Sequence, residues 1–125
     1  MPAAKVAKDI MTPAAKVVSV GLKAKVKEVI GKLVENKISG MPVVDDDGCV
    51  IGMITEADVL AAKMADTVAA LIGKKKAITV PPGDSLKAVT ELLLKKKIKR
   101  VAVVDEAGKL LGIVSRTDLL KARLK

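Results

Sequence analysis

The chain has 125 residues, half of them apolar, with a single Cys and no Phe, Trp, Tyr, His or Gln. That length allows one compact unit or two small ones sharing a core, and the composition removes an internal disulfide, His-based metal or nucleophilic chemistry, and aromatic stacking platforms. The net charge of +9 is uneven: residues 1–62 carry 8 basic and 8 acidic groups, whereas residues 63–125 carry 15 basic against 6 acidic.

An absence of five residue types points to a reconstructed or simplified sequence whose core is built from Val, Ile, Leu, Met and Ala. No stretch approaches the roughly 20 apolar residues of a membrane-spanning helix, and no signal-peptide pattern is present, which predicts a cytoplasmic protein. The basic runs at Lys74 to Lys76 and at Lys95, Lys96, Lys97, Lys99 and Arg100 read first as solvated faces, and secondly as attraction for phosphate or another polyanion.

In chain order, VVSV at 17–20 predicts a strand from its β-branched content. Val26, Val29, Ile30, Leu33 and Val34 then recur at helical spacing with Lys and Glu opposite, which predicts an amphipathic helix. MPVV, the turn DDDG and CVIGMI predict a hairpin, and TEADVLAAKMA predicts a second helix. The same series begins again with AITV at 77–80 and a helix carrying Leu86, Val89, Leu93 and Leu94, started by Pro82-Gly83-Asp84-Ser85. Its predecessor has only Lys23-Ala24-Lys25 at that place, which predicts a weaker helix in the first copy. VAVV, DEAG, KLLGIV and SRTDLLKARLK complete the second copy.

Residues 17–65 and 77–125 thus align without a gap at an offset of 60. The pattern predicts an α/β (α+β) chain of two β-α-β-β-α repeats, at 1–66 and 67–125, packed face to face as one pseudo-twofold module. Neither could close a core alone.

Each hairpin runs into GMITEAD or GIVSRTD. Thr55-x-x-Asp58 and Ser115-x-x-Asp118 have the spacing of a capping box, with Asp in place of the usual Glu or Gln, worth about 1 kcal/mol to the following helix. The same geometry offers an anion a helix N-terminus, and a carboxylate one turn in could accept both hydrogen bonds of a ribose diol. No acid–base, nucleophile or metal-ligand constellation accompanies the motif, so neither a catalytic nor a metal site is predicted and the chain is not read as an enzyme.

DIMTP at 9–13, ISGMPVVDDDG at 38–48 and GMITEADVL at 52–60 resemble a cystathionine-β-synthase (CBS) domain, and residues 68–125 resemble a second. Together they resemble a CBS pair, or Bateman module. The resemblance implies a regulatory module binding AMP, ADP, ATP or S-adenosylmethionine in crossed clefts between the repeats, with no cofactor required. One cleft would use Ser115 and Asp118 for ribose and phosphate, with Thr12, Val18, Ile38, Ser39 and Pro42 on the adenine and sugar and Arg116 within reach. The other would use Thr55 and Asp58 with Ala77, Ile78, Lys99 and Arg100, the last two as phosphate contacts. On that grouping the Asp58 cleft is the stronger phosphate site. Ala102 stands where the family usually has proline, and Leu71-Ile72-Gly73 stands where DIMT would recur, so Thr12 has no second copy.

The resemblance also implies a homodimer of pairs, with Leu119, Leu120 and Leu124 among the candidate contacts. Two alternatives remain: a ligand-free structural or oligomerisation module in which Thr55 and Ser115 are caps only, and nonspecific nucleic-acid binding by the Lys-rich half, which would be steeply salt-dependent. The absence of aromatic side chains argues against the second.

Overall fold

The computed structural model describes residues 4–73 and 76–125, so Lys74 and Lys75 of the basic run at 74–76 lie outside the described residues. In chain order the elements are α1 (Ala7–Ile10), β1 (Thr12–Pro13), a single 3-10 turn (Ala14–Lys16), α2 (Val26–Asn36), β2 (Gly40–Val44), β3 (Val50–Thr55) and α3 (Glu56–Leu60). They continue as α4 (Val68–Ile72), β4 (Thr79–Val80), α5 (Leu86–Lys96), β5 (Arg100–Val104), β6 (Leu110–Ser115) and α6 (Arg116–Arg123). No helix among the described residues is long and apolar enough to cross a membrane.

The chain divides into two compact units. A central unit spans Val18–Ala77, and a C-terminal unit joins the segment up to Val17 to Ile78–Lys125. The cores of the two units mirror the sequence repeat. Val20, Val29, Leu33, Met41, Val43, Ile54 and Val59 are buried in the central unit, and Val80, Val89, Leu93, Val101, Val103, Val114 and Leu119, each 60 positions later, are buried in the C-terminal one. Each core receives one further residue from the segment in front of the other repeat. Val68, at 0% exposure, enters the central core, and Ala7, also at 0%, enters the C-terminal core. Sequence repeat and packing unit are therefore offset by a short lead-in segment.

At the start of α2 a lead-in segment takes the place of a side-chain cap. Val26 N–H donates to the Asp66 carbonyl at 2.8 Å and Lys27 N–H to that of Met64 at 3.3 Å, so α2 has its first donors satisfied although Lys25 supplies no capping side chain. In the C-terminal unit Ser85 Oγ accepts from Ala88 N–H at 3.1 Å, and Leu86 N–H donates to Lys5 at 3.2 Å. Both helices accordingly run for 11 residues despite the unequal caps read from sequence. The helix expected from Thr55 onward stops at Leu60, because the chain must then turn to bring the carbonyls of Met64 and Asp66 to α2.

The hairpins form as expected. Asp45 Oδ1 accepts from Asp47 N–H and Cys49 N–H, both at 2.9 Å, while Asp105 Oδ1 accepts likewise from Ala107 and Lys109. Gly48 and Gly108 close these turns at φ 83° and 88°, which other residues adopt only at a steric cost.

The first strands differ between the units. In the C-terminal unit β4 pairs parallel with β5, giving the sheet order β1-β6-β5-β4, whereas in the central unit the expected strand at 17–20 contracts to a single Val20–Val43 bridge beside the β2-β3 hairpin. Pro42 supplies the reason. It has no N–H to donate to an incoming strand, while Ala102 at the matching place keeps one and pairs with Thr79.

Candidate functional site

Both predicted capping boxes form. Thr55 N–H and Oγ1 donate to Asp58 Oδ2 at 2.8 and 3.0 Å, and Ser115 N–H and Oγ donate to Asp118 Oδ2 at the same distances. Asp118 N–H also donates back to Ser115 Oγ at 3.3 Å. All of the bonds from the capping residues to the carboxylates land on Oδ2. Since a carboxylate oxygen has two acceptor lone pairs, Oδ2 is filled by the cap and Oδ1 is the oxygen turned to other uses. The helices behind the boxes differ: α3 has five residues and α6 has eight.

Strand register decides which groups stand next to each box. Arg100 lies opposite Ser115 across the β5-β6 ladder, and Arg116 N–H donates to Lys99 O at 3.0 Å. Those flanking bonds make Arg100–Ser115 a pair without mutual backbone hydrogen bonds, the closer of the two kinds of antiparallel pair, about 4.5 Å between Cα atoms. The central unit repeats the geometry with Gly40 opposite Thr55 and Glu56 N–H donating to Ser39 O at 2.9 Å. Arg100 thus pairs with Ser115, where a side-chain-less glycine pairs with Thr55. The grouping of Lys99 and Arg100 with Asp58 came from resemblance. Within the C-terminal unit, the register sets Arg100 opposite Ser115, with Lys99 next to it in sequence.

Thr12 joins them from the other edge of β6. It lies opposite Ile113, two residues before Ser115, so side-chain alternation puts Thr12, Ser115 and Arg100 on one face. Arg116 turns away from the box. Its Nε donates to Ile98 O at 3.0 Å and its Nη2 to Leu93 O at 3.5 Å, placing its charge on a last-turn carbonyl of α5 and on the loop just after it.

The remaining predicted residues are distributed as follows. Ile78 is exposed in the C-terminal unit, while Val18, Ile38, Ser39 and Ala77 are half-buried in the central unit. Pro42, expected against adenine or sugar, is fully buried in β2 and presents no surface to a ligand. Its rigid ring and missing N–H act on the strand pattern instead.

The CBS domain family matches residues 7–65 and again residues 68–125. The chain is a tandem CBS-domain protein. Among similar solved structures, the crystal structure of CBSX2 in complex with AMP, a chloroplastic CBS-domain protein of Arabidopsis thaliana, shares 30% identity at a TM-score of 0.88, with 97% of each chain covered. The cytosolic domain of the Mg2+ channel MgtE in complex with ATP shares 29% identity at a TM-score of 0.83 over 94% of this chain and 48% of that one. The inosine-5'-monophosphate dehydrogenase of Aquifex aeolicus is 34% identical over 102 residues, which are 79% of this chain and 21% of the enzyme. This CBS pair therefore spans about a fifth of the length of that relative.

Motif reading passed over one feature of each hairpin. The glycine opening each GMITEAD-type motif is buried, and its surroundings differ between the units. The signal was present in the sequence as a repeated glycine, but nothing local to it names the segment that packs there.

Proposed function

We propose that this CBS pair is a regulatory, non-catalytic module of the cytoplasm that binds an adenine nucleotide, with the principal phosphate-binding groups in the C-terminal unit. The Arg100–Ser115 register carries the reading. It sets a residue with a planar cationic donor opposite a box whose capping bonds use only Oδ2 of the carboxylate, so one short stretch offers an acceptor for the ribose diol and a charged fork for phosphate. Lys99, exposed one residue earlier, adds a second cation. The AMP and ATP complexes of the similar CBS proteins support adenine nucleotides as the ligand class.

Thr55 and Asp58 make the same cap with Gly40 in place of Arg100, so the central box serves chiefly its helix. Val18, Ile38 and Ser39 keep the adenine and sugar roles on resemblance alone. Calorimetric titration with AMP, ATP and S-adenosylmethionine tests the reading. Binding should be lost on Asp118→Ala and weakened about tenfold or more on Arg100→Ala, the weight of one charge-assisted bond. Absence of binding at millimolar concentration sinks it.

A homodimer of pairs belongs to the same proposal. Leu94 and Leu120, 61% and 64% exposed, border an apolar groove of about 730 Å³ between α5 and α6, and Leu124 just beyond α6 is 87% exposed, a surface suited to a second copy. The same groove favours the alternative of a ligand-free oligomerisation module. Asp118→Ala separates the two, because under the alternative it costs only the cap.

A further inference from the structure

Gly112 lies in β6 directly opposite Pro13, and a Cβ added to it would overlap the Thr12 carbonyl oxygen and lie 2.7 Å from Met11 Sδ and 2.8 Å from Met11 Cγ. A backbone carbonyl cannot step aside as a flexible side chain does, so any larger residue at 112 must displace β1. At Gly52, the matching glycine of the central unit, the nearest atoms belong to the Ile72 side chain, with Cδ1 3.4 Å from the added Cβ. There the contact is ordinary and the neighbour can adjust.

The segment that Gly112 admits is a strap running along the C-terminal unit. At its start Ala7 is fully buried, Ala7 N–H donates to Asp84 O at 2.8 Å, and Lys8 N–H donates to Pro82 O at 3.0 Å. At its end only Thr12 and Pro13 pair with β6. The start is thus anchored independently of Gly112, while the end depends on it.

We infer that Gly112 is a positioning residue for nucleotide affinity, holding the Thr12 hydroxyl against the face that carries Ser115 and Arg100. The inference rests on the nucleotide reading of that face. Thr12 and Ser115 are diagonal neighbours of roughly 7–8 Å between Cα atoms, a span that the sugar and phosphate of one nucleotide can bridge. The central unit has an isoleucine side chain at the corresponding socket and receives no such hydroxyl, so the glycine there carries less. Binding is asymmetric for this reason as well as for the charge at Arg100.

The test uses the full chain, titrated with AMP and ATP, in four variants: Gly112→Ala, Gly52→Ala, Thr12→Val and the double variant of Gly112→Ala with Thr12→Val. Gly112→Ala and Thr12→Val should each weaken binding by about tenfold, the weight of one hydrogen bond. The double variant should bind no worse than the weaker single one, since both remove the same contact. Gly52→Ala should stay within about twofold of the parent, as a side-chain tip can move aside. Amide exchange should show Ala7 and Lys8 still protected in Gly112→Ala, which separates a lifted β1 from general unfolding. Thr12→Val keeps the backbone and removes only the hydroxyl, so it decides the matter even where Gly112→Ala fails to fold. Parent-like affinity in Thr12→Val or in a folded Gly112→Ala, or losses that multiply in the double variant, overturns the inference while leaving the nucleotide reading intact. A parent chain that binds neither AMP nor ATP overturns both.

Discussion

Each capping carboxylate has two oxygens, and at Asp58 and Asp118 the capping residues use only Oδ2. Capping and ligand binding are therefore compatible at one residue, and the two effects of a substitution can be told apart. Asp58→Ala and Asp118→Ala should each lower stability by about 1 kcal/mol in denaturant unfolding, as loss of a helix cap does. Only Asp118→Ala should also abolish nucleotide binding. The boxes were legible in the sequence because a cap is local, with every partner within three residues. That Arg100 faces Ser115 was not legible, because that depends on pairing across the β5-β6 ladder. Arg116 shows the same limit: its number places it in the motif, but its fork reaches back to Ile98 and Leu93.

At the scale of elements, the two long helices end alike, with Lys37 and Lys97 in the left-handed region at φ 53° and 56°. Glycine adopts that conformation without the Cβ penalty, so Lys37→Gly and Lys97→Gly should each raise stability by about 0.5–1 kcal/mol, measured as a higher denaturant midpoint at unchanged slope. The strap offers a test by pH. Asp9 accepts hydrogen bonds from the N–H groups of Lys5 and Val6 at 2.9 and 3.0 Å, and these hold its carboxyl below its ordinary value of 3.8. A depressed carboxyl contributes above its unfolded pKa and loses that contribution as pH falls through the folded one. Protection of the Lys5 and Val6 amides should persist at neutral pH and fade only below about pH 4, and Asp9→Asn should abolish that pH dependence. Helix periods and turn residues made most elements readable. The short first strand of the central unit was not, because VVSV has a strand's composition and the obstacle, Pro42, lies on the partner strand.

For the whole molecule, a gapless repeat at an offset of 60 announces two similar units, but the single shared core expected from it is instead two clusters, one in each unit, paired from Val20 and Val80 to Val59 and Leu119. The repeat is silent on the lead-in segments, since Ala7 and Val68 enter cores built by the repeat they do not precede. Their assignment depends on long-range contacts such as Met11 against Gly112, for which no local pattern exists. The exposed leucines of α5 and α6 give a prediction at this scale. Leu120→Lys should shift the chain toward monomer in sedimentation velocity, with stability nearly unchanged because the side chain is mostly in solvent. A monomeric parent chain would contradict the dimer.

The central claim is that nucleotide binding depends on Asp118, the carboxylate of the unit that carries Arg100 opposite Ser115. Calorimetric titration of the parent chain, Asp58→Ala and Asp118→Ala with AMP and ATP tests it most directly. The account predicts binding that survives Asp58→Ala within about threefold and disappears in a folded Asp118→Ala. Binding that survives Asp118→Ala and is lost with Asp58→Ala would contradict it.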